Sequence, residues 1–158
     1  MVEAQPDVDL LDFLLATDAR PKRLLDIGSG SGVLALAGLT LGVAQALGVD
    51  PDPAALAAAR HNARLNGLSR RLELTDKPLD QLDGAYPLVV ANLTGPLLQS
   101  LGPKIIDLLS PGGRLIVSGL LIEELPTVRS AFAPPLAIVG QKTQGEWVGL
   151  VLDRGGGD

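Results

Sequence analysis

Leu24-Leu25-Asp26-Ile27-Gly28-Ser29-Gly30-Ser31-Gly32 is the stretch that decides the fold. It begins as a short apolar run broken by one acid, which predicts a buried strand over Arg23 to Ile27. Three glycines in five residues then stop the strand. Glycine permits the tight turn and lets a ligand approach the backbone closely. Leu34, Leu36, Ala37 and Leu39 follow at helical spacing, and Gly42 stands where a helix C-terminus wants glycine. Strand, glycine turn and helix in that order place unpaired backbone N–H groups at the helix start, where they can face a ligand.

The same alternation continues outward. A second strand is expected at Gln45 to Val49, followed by Asp52 as N-cap and Pro53 as first helical residue of a helix ending at Asn66-Gly67. A third strand is expected at Arg71 to Thr75 and a fourth at Tyr86 to Ala91. Leu97, Leu98, Leu101, Ile105, Leu108 and Leu109 give the next helix one buried face. Ser110-Pro111-Gly112-Gly113 reads as a turn before a fifth strand, Arg114 to Ser118, and a short helix spans Leu125 to Phe132. Strands alternating with helices predict an α/β domain with a mostly parallel sheet covered on both faces. The ending breaks the alternation. Leu136 to Gln141 and Glu146 to Leu152 are strand patterns joined by Lys142 to Gly145, an antiparallel hairpin with no crossover helix. The expected sheet therefore has seven strands, only the last antiparallel. Before it stands a helix at Asp7 to Thr17, and after it a frayed tail, Gly155 to Asp158.

Composition narrows the function. A chain of 158 residues matches one domain, read here as 1–158. With 3% aromatics the core must be Leu, Val, Ile and Ala. The absence of cysteine excludes disulfides and thiolate chemistry, and a lone His61 argues against a protein-only metal site. A net charge of -5 argues against broad nucleic-acid binding. No apolar run reaches the ~20 residues of a membrane span, and no signal peptide is visible, so the protein reads as cytoplasmic.

Ligands of open α/β sheets bind at the carboxyl ends of the strands, and several residues are expected there. The third glycine, Gly32, makes the loop G-x-G-x-G rather than the G-x-G-x-x-G of dinucleotide enzymes. That spacing resembles the first motif of S-adenosylmethionine (SAM)-dependent methyltransferases. Gly28, Ser29 and Gly30 are the other candidate cofactor contacts of the loop. Asp50, 22 residues beyond Gly28 and followed by Pro51, ends the second strand. Its two oxygens match a vicinal ribose diol. It competes with a helix-cap role that Asp52 fills better. Asp76, after the third strand, either meets an adenine amino group or is a solvated loop acid. Asp26 orders the loop backbone or approaches the sulfonium end of the cofactor. Asn92 closes the fourth strand in Val90-Ala91-Asn92-Leu93-Thr94-Gly95-Pro96 and points to the same crevice. Its amide oxygen can accept from an amine nucleophile and its NH2 can donate to the cofactor. His61, Arg70 and Arg71 read as solvated, and Trp147 as packing the hairpin on the sheet.

Together these segments resemble the PrmA family, methyltransferases that modify bacterial large-subunit ribosomal protein eleven. The resemblance runs from Leu24 to Leu152. It is carried by Leu24 to Gly32, Val49-Asp50-Pro51-Asp52, Val90-Ala91-Asn92-Leu93, Pro111 to Gly119, and Gly145-Glu146-Trp147-Val148. It implies a Rossmann-like class I SAM-dependent methyltransferase fold, SAM as cofactor, Gly28 and Asp50 as SAM contacts and Asn92 beside the methyl group as the catalytic residue. It also implies N-methylation of a basic ribosomal protein. The family carries a substrate-recognising domain and a Gly- and Thr-rich segment with a histidine ahead of the first strand. Here the corresponding stretch reads Gln5-Pro6-Asp7-Val8-Asp9. A small-molecule methyltransferase and a non-catalytic SAM-binding module are the alternative readings. A nicotinamide oxidoreductase is disfavoured by the glycine spacing and the terminal hairpin.

Overall fold

The structure is a computed structural model that describes residues 20–156. The expected helix at 7–17 and the last two residues of the tail lie outside the described residues. Strands β1 (Arg23–Ile27), β2 (Gln45–Val49), β3 (Leu72–Thr75), β4 (Tyr86–Asn92), β5 (Leu109–Leu121), β6 (Leu136–Gln144) and β7 (Trp147–Arg154) form one sheet in the order β3-β2-β1-β4-β5-β7-β6. The first five pair in parallel, and β7 lies antiparallel between β5 and β6. This is the expected seven-stranded sheet in which only the last strand is reversed.

Helices α1 (Val33–Thr40) and α2 (Pro53–Leu65) cover one face, and α3 (Gly95–Leu108) and α4 (Leu125–Phe132) the other. A strand's side chains alternate between faces, so each central strand feeds two cores. Leu25, Ile27, Val89, Ala91, Leu115 and Val117 pack with Leu98, Ile105, Val128 and Phe132. Leu24, Leu88, Val90 and Ile116 pack with Leu34, Ala35, Leu36 and Leu39. Strands buried on both faces read as continuous apolar runs, and for that reason their sequences show little alternation.

The helix boundaries follow their caps. Asp52 caps α2 by accepting from the Ala54 N–H at 2.9 Å, with Pro53 in the first turn. Gly42 lies just beyond the end of α1 with φ +113°. Three expectations are corrected. Ser110 to Gly113 is not a turn outside the sheet. Tyr86 opposes Leu109 and Leu88 opposes Arg114, so these four residues bulge from within β5. The hairpin arms are longer than expected, because Gln144 pairs with Trp147 and only Gly145-Glu146 forms the loop. The polar run Gln141 to Gln144 has no apolar alternation because it forms an exposed strand end. Finally, Arg71 is not solvated. Its guanidinium donates to the carbonyls of Leu39 at 3.0 Å and Ala44 at 3.1 Å, and to that of Val43, clamping the α1–β2 connection.

The chain builds β1, β2 and β3 outward, then returns to the other side of β1 to lay down β4. The connections leaving β1 and β4 therefore diverge to opposite faces, opening a crevice at the carboxyl ends of these two strands.

Candidate functional site

The glycine loop is folded against the end of β2. Gly28 and Ser29 N–H both donate to the Val49 carbonyl, at 2.9 and 3.0 Å. Gly28, Gly30 and Gly32 have φ of +75°, +54° and +86°, a region that residues with a Cβ avoid. A Cβ on Gly28 would also come within 2.9 Å of Leu93 Cδ2. The loop therefore faces the turn that follows β4 at a separation only glycine permits. Asn62 of α2 steadies its far end by donating to the Ser31 carbonyl at 3.0 Å.

Asp50 holds the loop. Its Oδ2 accepts from the Gly30 N–H at 2.8 Å and its Oδ1 from the Asp52 N–H at 2.9 Å. An ionised carboxylate has about four acceptor positions, so two remain for a diol. The cap of α2 is Asp52, which leaves Asp50 at the crevice. Pro51 and Asp76 are exposed beside it, at the ends of β2 and β3.

Asp26 is almost fully buried under the loop at 1% exposure, and neither of its oxygens has a hydrogen-bond partner. Ser29 Oγ, also buried, is equally without one. Burial pushes the Asp26 carboxyl up to about 7. The Ala35 backbone amide opposes this rise without reaching hydrogen-bond geometry, and the nearby negative charge of Asp50 adds to it. A buried carboxyl without hydrogen-bond partners, set beside the Asp50 carboxylate and a loop of backbone N–H groups, forms an environment that a cationic, hydroxyl-bearing ligand would relieve. The residues thus fit SAM, which carries a sulfonium, an ammonium and a ribose.

Asn92 stands across the crevice at the last position of β4, paired with Ser118, with its side chain exposed. Its Oδ1 lies against Gly119, whose φ is +80°, and a Cβ there would overlap that oxygen. The structure thus brings Gly28, Gly30, Asp50 and Asn92 to one crevice. It puts Asp26 and Ser29 beneath it and Gly32 at the entrance to α1 as its N-cap. His61 and Arg70 are exposed, and Trp147 is half-buried opposite Leu121.

Sequence reasoning missed Gly119, Asn62 and Glu124 in this neighbourhood. A glycine at the carboxyl end of β5 was an available signal for Gly119. Asn62 and Glu124 lie on a helix face and in a polar connection, where nothing distinguishes them from solvated residues. Among the described residues no group of three or more His, Cys, Asp or Glu could hold a metal ion. None of their helices is long and apolar enough to cross a membrane.

Comparison with known proteins bears on the fold and the family. The family model for ribosomal protein L11 methyltransferase (PrmA) matches residues 8–155. The ribosomal protein L11 methyltransferase of Pelobacter propionicus is 41% identical over 132 residues, covering 83% of this chain and 43% of that protein. That of Pectobacterium carotovorum is 42% identical over 145 residues, covering 91% and 49%. The chain thus spans about half the length of the curated relatives it matches. The crystal structure of the ribosomal protein L11 methylase of Lactobacillus delbrueckii subsp. bulgaricus superposes with a TM-score of 0.85 at 31% identity, over 92% of this chain and 76% of that one. An RNA methyltransferase of Salinibacter ruber, solved with S-adenosyl-L-homocysteine, shares the fold at a TM-score of 0.73 and 20% identity, over 95% and 93% of the two chains. With a class I methyltransferase fold and a family match over nearly its whole length, the chain belongs to the ribosomal protein L11 methyltransferase (PrmA) family.

Proposed function

We propose that this chain is a single methyltransferase domain that moves the methyl group of SAM to an amine nitrogen of a protein, in the cytoplasm where ribosomal proteins are assembled. The protein acceptor follows the names of the relatives, ribosomal protein L11 methyltransferases. The observation that carries the reading is the convergence of Asp50 and Asn92 on opposite sides of the Gly28–Gly32 loop. Gly28, Gly30 and Gly32 admit the cofactor to the backbone, and Ser29 and Asp26 stand under it. Asp50 accepts from the ribose, with Pro51 beside it. Asp76 reaches the adenine edge.

When bound, SAM supplies a methyl group already activated by positive sulfur, so the protein's task is alignment and exclusion of water. Leu93, packed against Gly28, covers the reacting end. The amine arrives deprotonated. Its lone pair forms the new carbon–nitrogen bond as the carbon–sulfur bond breaks, and the sulfur keeps that electron pair. Positive charge therefore grows on nitrogen. Asn92 Oδ1 accepts an N–H from that nitrogen, an interaction that strengthens as the charge develops and so favours the transition state over the ground state.

The test has two arms. Calorimetry should show binding of SAM and S-adenosylhomocysteine and none of NAD. Labelled methyl from SAM should pass to isolated bacterial ribosomal protein L11, and to the protein fraction of a cell extract rather than its RNA or small molecules. Label confined to small molecules would overturn the protein acceptor, and NAD binding without SAM binding would overturn the methyltransferase reading.

A further inference from the structure

Glu124 reaches across the carboxyl edge of the sheet. It ends the short 3-10 turn Ile122–Glu124 that follows β5. Its Oε1 accepts from the Leu121 N–H at 2.9 Å, and its Oε2 accepts from the Gly95 N–H at 3.2 Å. Gly95 is the first residue of α3 and lies just beyond the Asn92-Leu93-Thr94 turn. The first N–H groups of a helix lack partners within it, and the side chain of the N-cap Thr94 accepts from Leu97, at 3.4 Å, rather than from Gly95. Glu124 supplies the acceptor that Gly95 would otherwise lack. A negative charge is also favoured at a helix N-terminus. The fit is close, since a Cβ on Gly95 would stand 2.8 Å from Glu124 Oε2 and 2.9 Å from its Cδ.

The same segment meets Asn92 a second time. Ser118 pairs with Asn92, and the missing side chain of Gly119 leaves the space that Asn92 Oδ1 takes. Residues 118–124 thus touch the Asn92 turn at both ends: at Asn92 through strand pairing and the Gly119 gap, and at Gly95 through Glu124.

We propose that Glu124 is a positioning residue for methyl transfer. By tying Gly95 to Leu121 it fixes the turn after β4 and, with Gly119, the direction in which the Asn92 amide meets the acceptor nitrogen. This rests on the role given to Asn92 above. A carboxylate is required because two N–H donors converge on it. A glutamine has one acceptor oxygen and would turn an NH2 toward the second donor.

The experiment uses the full chain, with S-adenosylhomocysteine as the ligand probe. Glu124→Ala and Glu124→Gln are compared with wild type by proton–nitrogen NMR, calorimetry and labelled methyl transfer to isolated ribosomal protein L11. In Glu124→Ala the side-chain amide signals of Asn92 should shift and broaden. Affinity for S-adenosylhomocysteine should stay within about threefold, and kcat should fall at least about tenfold with KM nearly unchanged. Glu124→Gln should keep the Leu121 amide signal, lose that of Gly95 from its wild-type position, and give an intermediate kcat. If Glu124→Ala does not fold, Glu124→Gln decides by the same criteria. The proposal is overturned if the Gly95 amide moves while Asn92 and kcat do not. It is equally overturned if cofactor affinity falls in step with kcat, which is the mark of a merely structural role. If the wild type transfers nothing to ribosomal protein L11, it is the acceptor reading that fails, and the Asn92 signals alone decide the brace.

Discussion

Replacing Asp26 with asparagine tests the electrostatics of the loop directly. The carboxyl is buried, lacks partners for either oxygen, and is raised from an ordinary 3.8 to about 7. Between those values the unfolded chain ionises at this position while the folded chain keeps its proton. The folded state binds more protons there, so stability falls as pH rises, and the loss is complete only above the folded value. Roughly three pH units at ~1.36 kcal/mol each give about 4 kcal/mol between pH 4 and pH 8. That is an upper bound, because a water reaching the carboxylate would solvate the anion. Asp26→Asn removes the ionisation and its pH dependence. The measurement is chemical denaturation of both proteins across that range. The variant should gain on the wild type steadily from pH 4 to pH 8, with most of the gain made by pH 7. Other titrating groups cancel in the difference. Parallel stability curves for the two proteins would refute the reasoning. So would a gap that widens toward low pH, which would mean that the folded state favours the anion.

Asp50→Ala should lower SAM affinity at least about tenfold. It should also cost about 1–3 kcal/mol of stability, because the Gly30 and Asp52 N–H groups lose their acceptor. Paired calorimetry and denaturation would show both, and unchanged affinity would count against the ribose contact. Arg71→Ala should cost about 3 kcal/mol in denaturation by releasing the carbonyls after α1, with SAM affinity unchanged. A loss of affinity there would mean that the clamp also supports the site. Arg114 and Asp153 form a bidentate pair at 2.6 and 2.8 Å with about a third of each side chain exposed. A double-mutant cycle should return a coupling of about 1 kcal/mol or less, shrinking with added salt.

The fold was legible because its determinants are local and redundant. The glycine loop after Ile27, the Asp52-Pro53 helix start and the apolar run of β4 each announce themselves within a few residues. A βα alternation leaves few topologies open once the parallel connections are right-handed. What sequence misplaced was decided by pairing across distance. Ser110 to Gly113 has turn composition, and the pairs on either side of it still keep it within β5 as a bulge. Arg71 has the look of a surface corner beside Arg70. Its position opposite three carbonyls exists only once β3 lies beside β2.

The site divides in the same way. Gly28, Asp50 and Asn92 stand at strand ends, and the rule that ligands bind at carboxyl strand ends locates such residues from the order of elements alone. Asp50 shows the limit of that rule. From sequence it had to be either a ligand contact or a cap, whereas in the fold it holds the Gly30 N–H and keeps acceptor capacity for a ligand. The two tasks are linked in the proposed site, since the loop proposed to admit the cofactor is shaped by the carboxylate proposed to bind it. Binding and loop order should therefore fail together in Asp50→Ala. Glu124 and Gly119 act on backbone and side-chain atoms that are 29 residues or about that far away in the chain. No spacing within a single motif encodes such a contact. It appears only when β4 and β5 are set side by side, and it governs how the residue that motif reading does find, Asn92, is aimed.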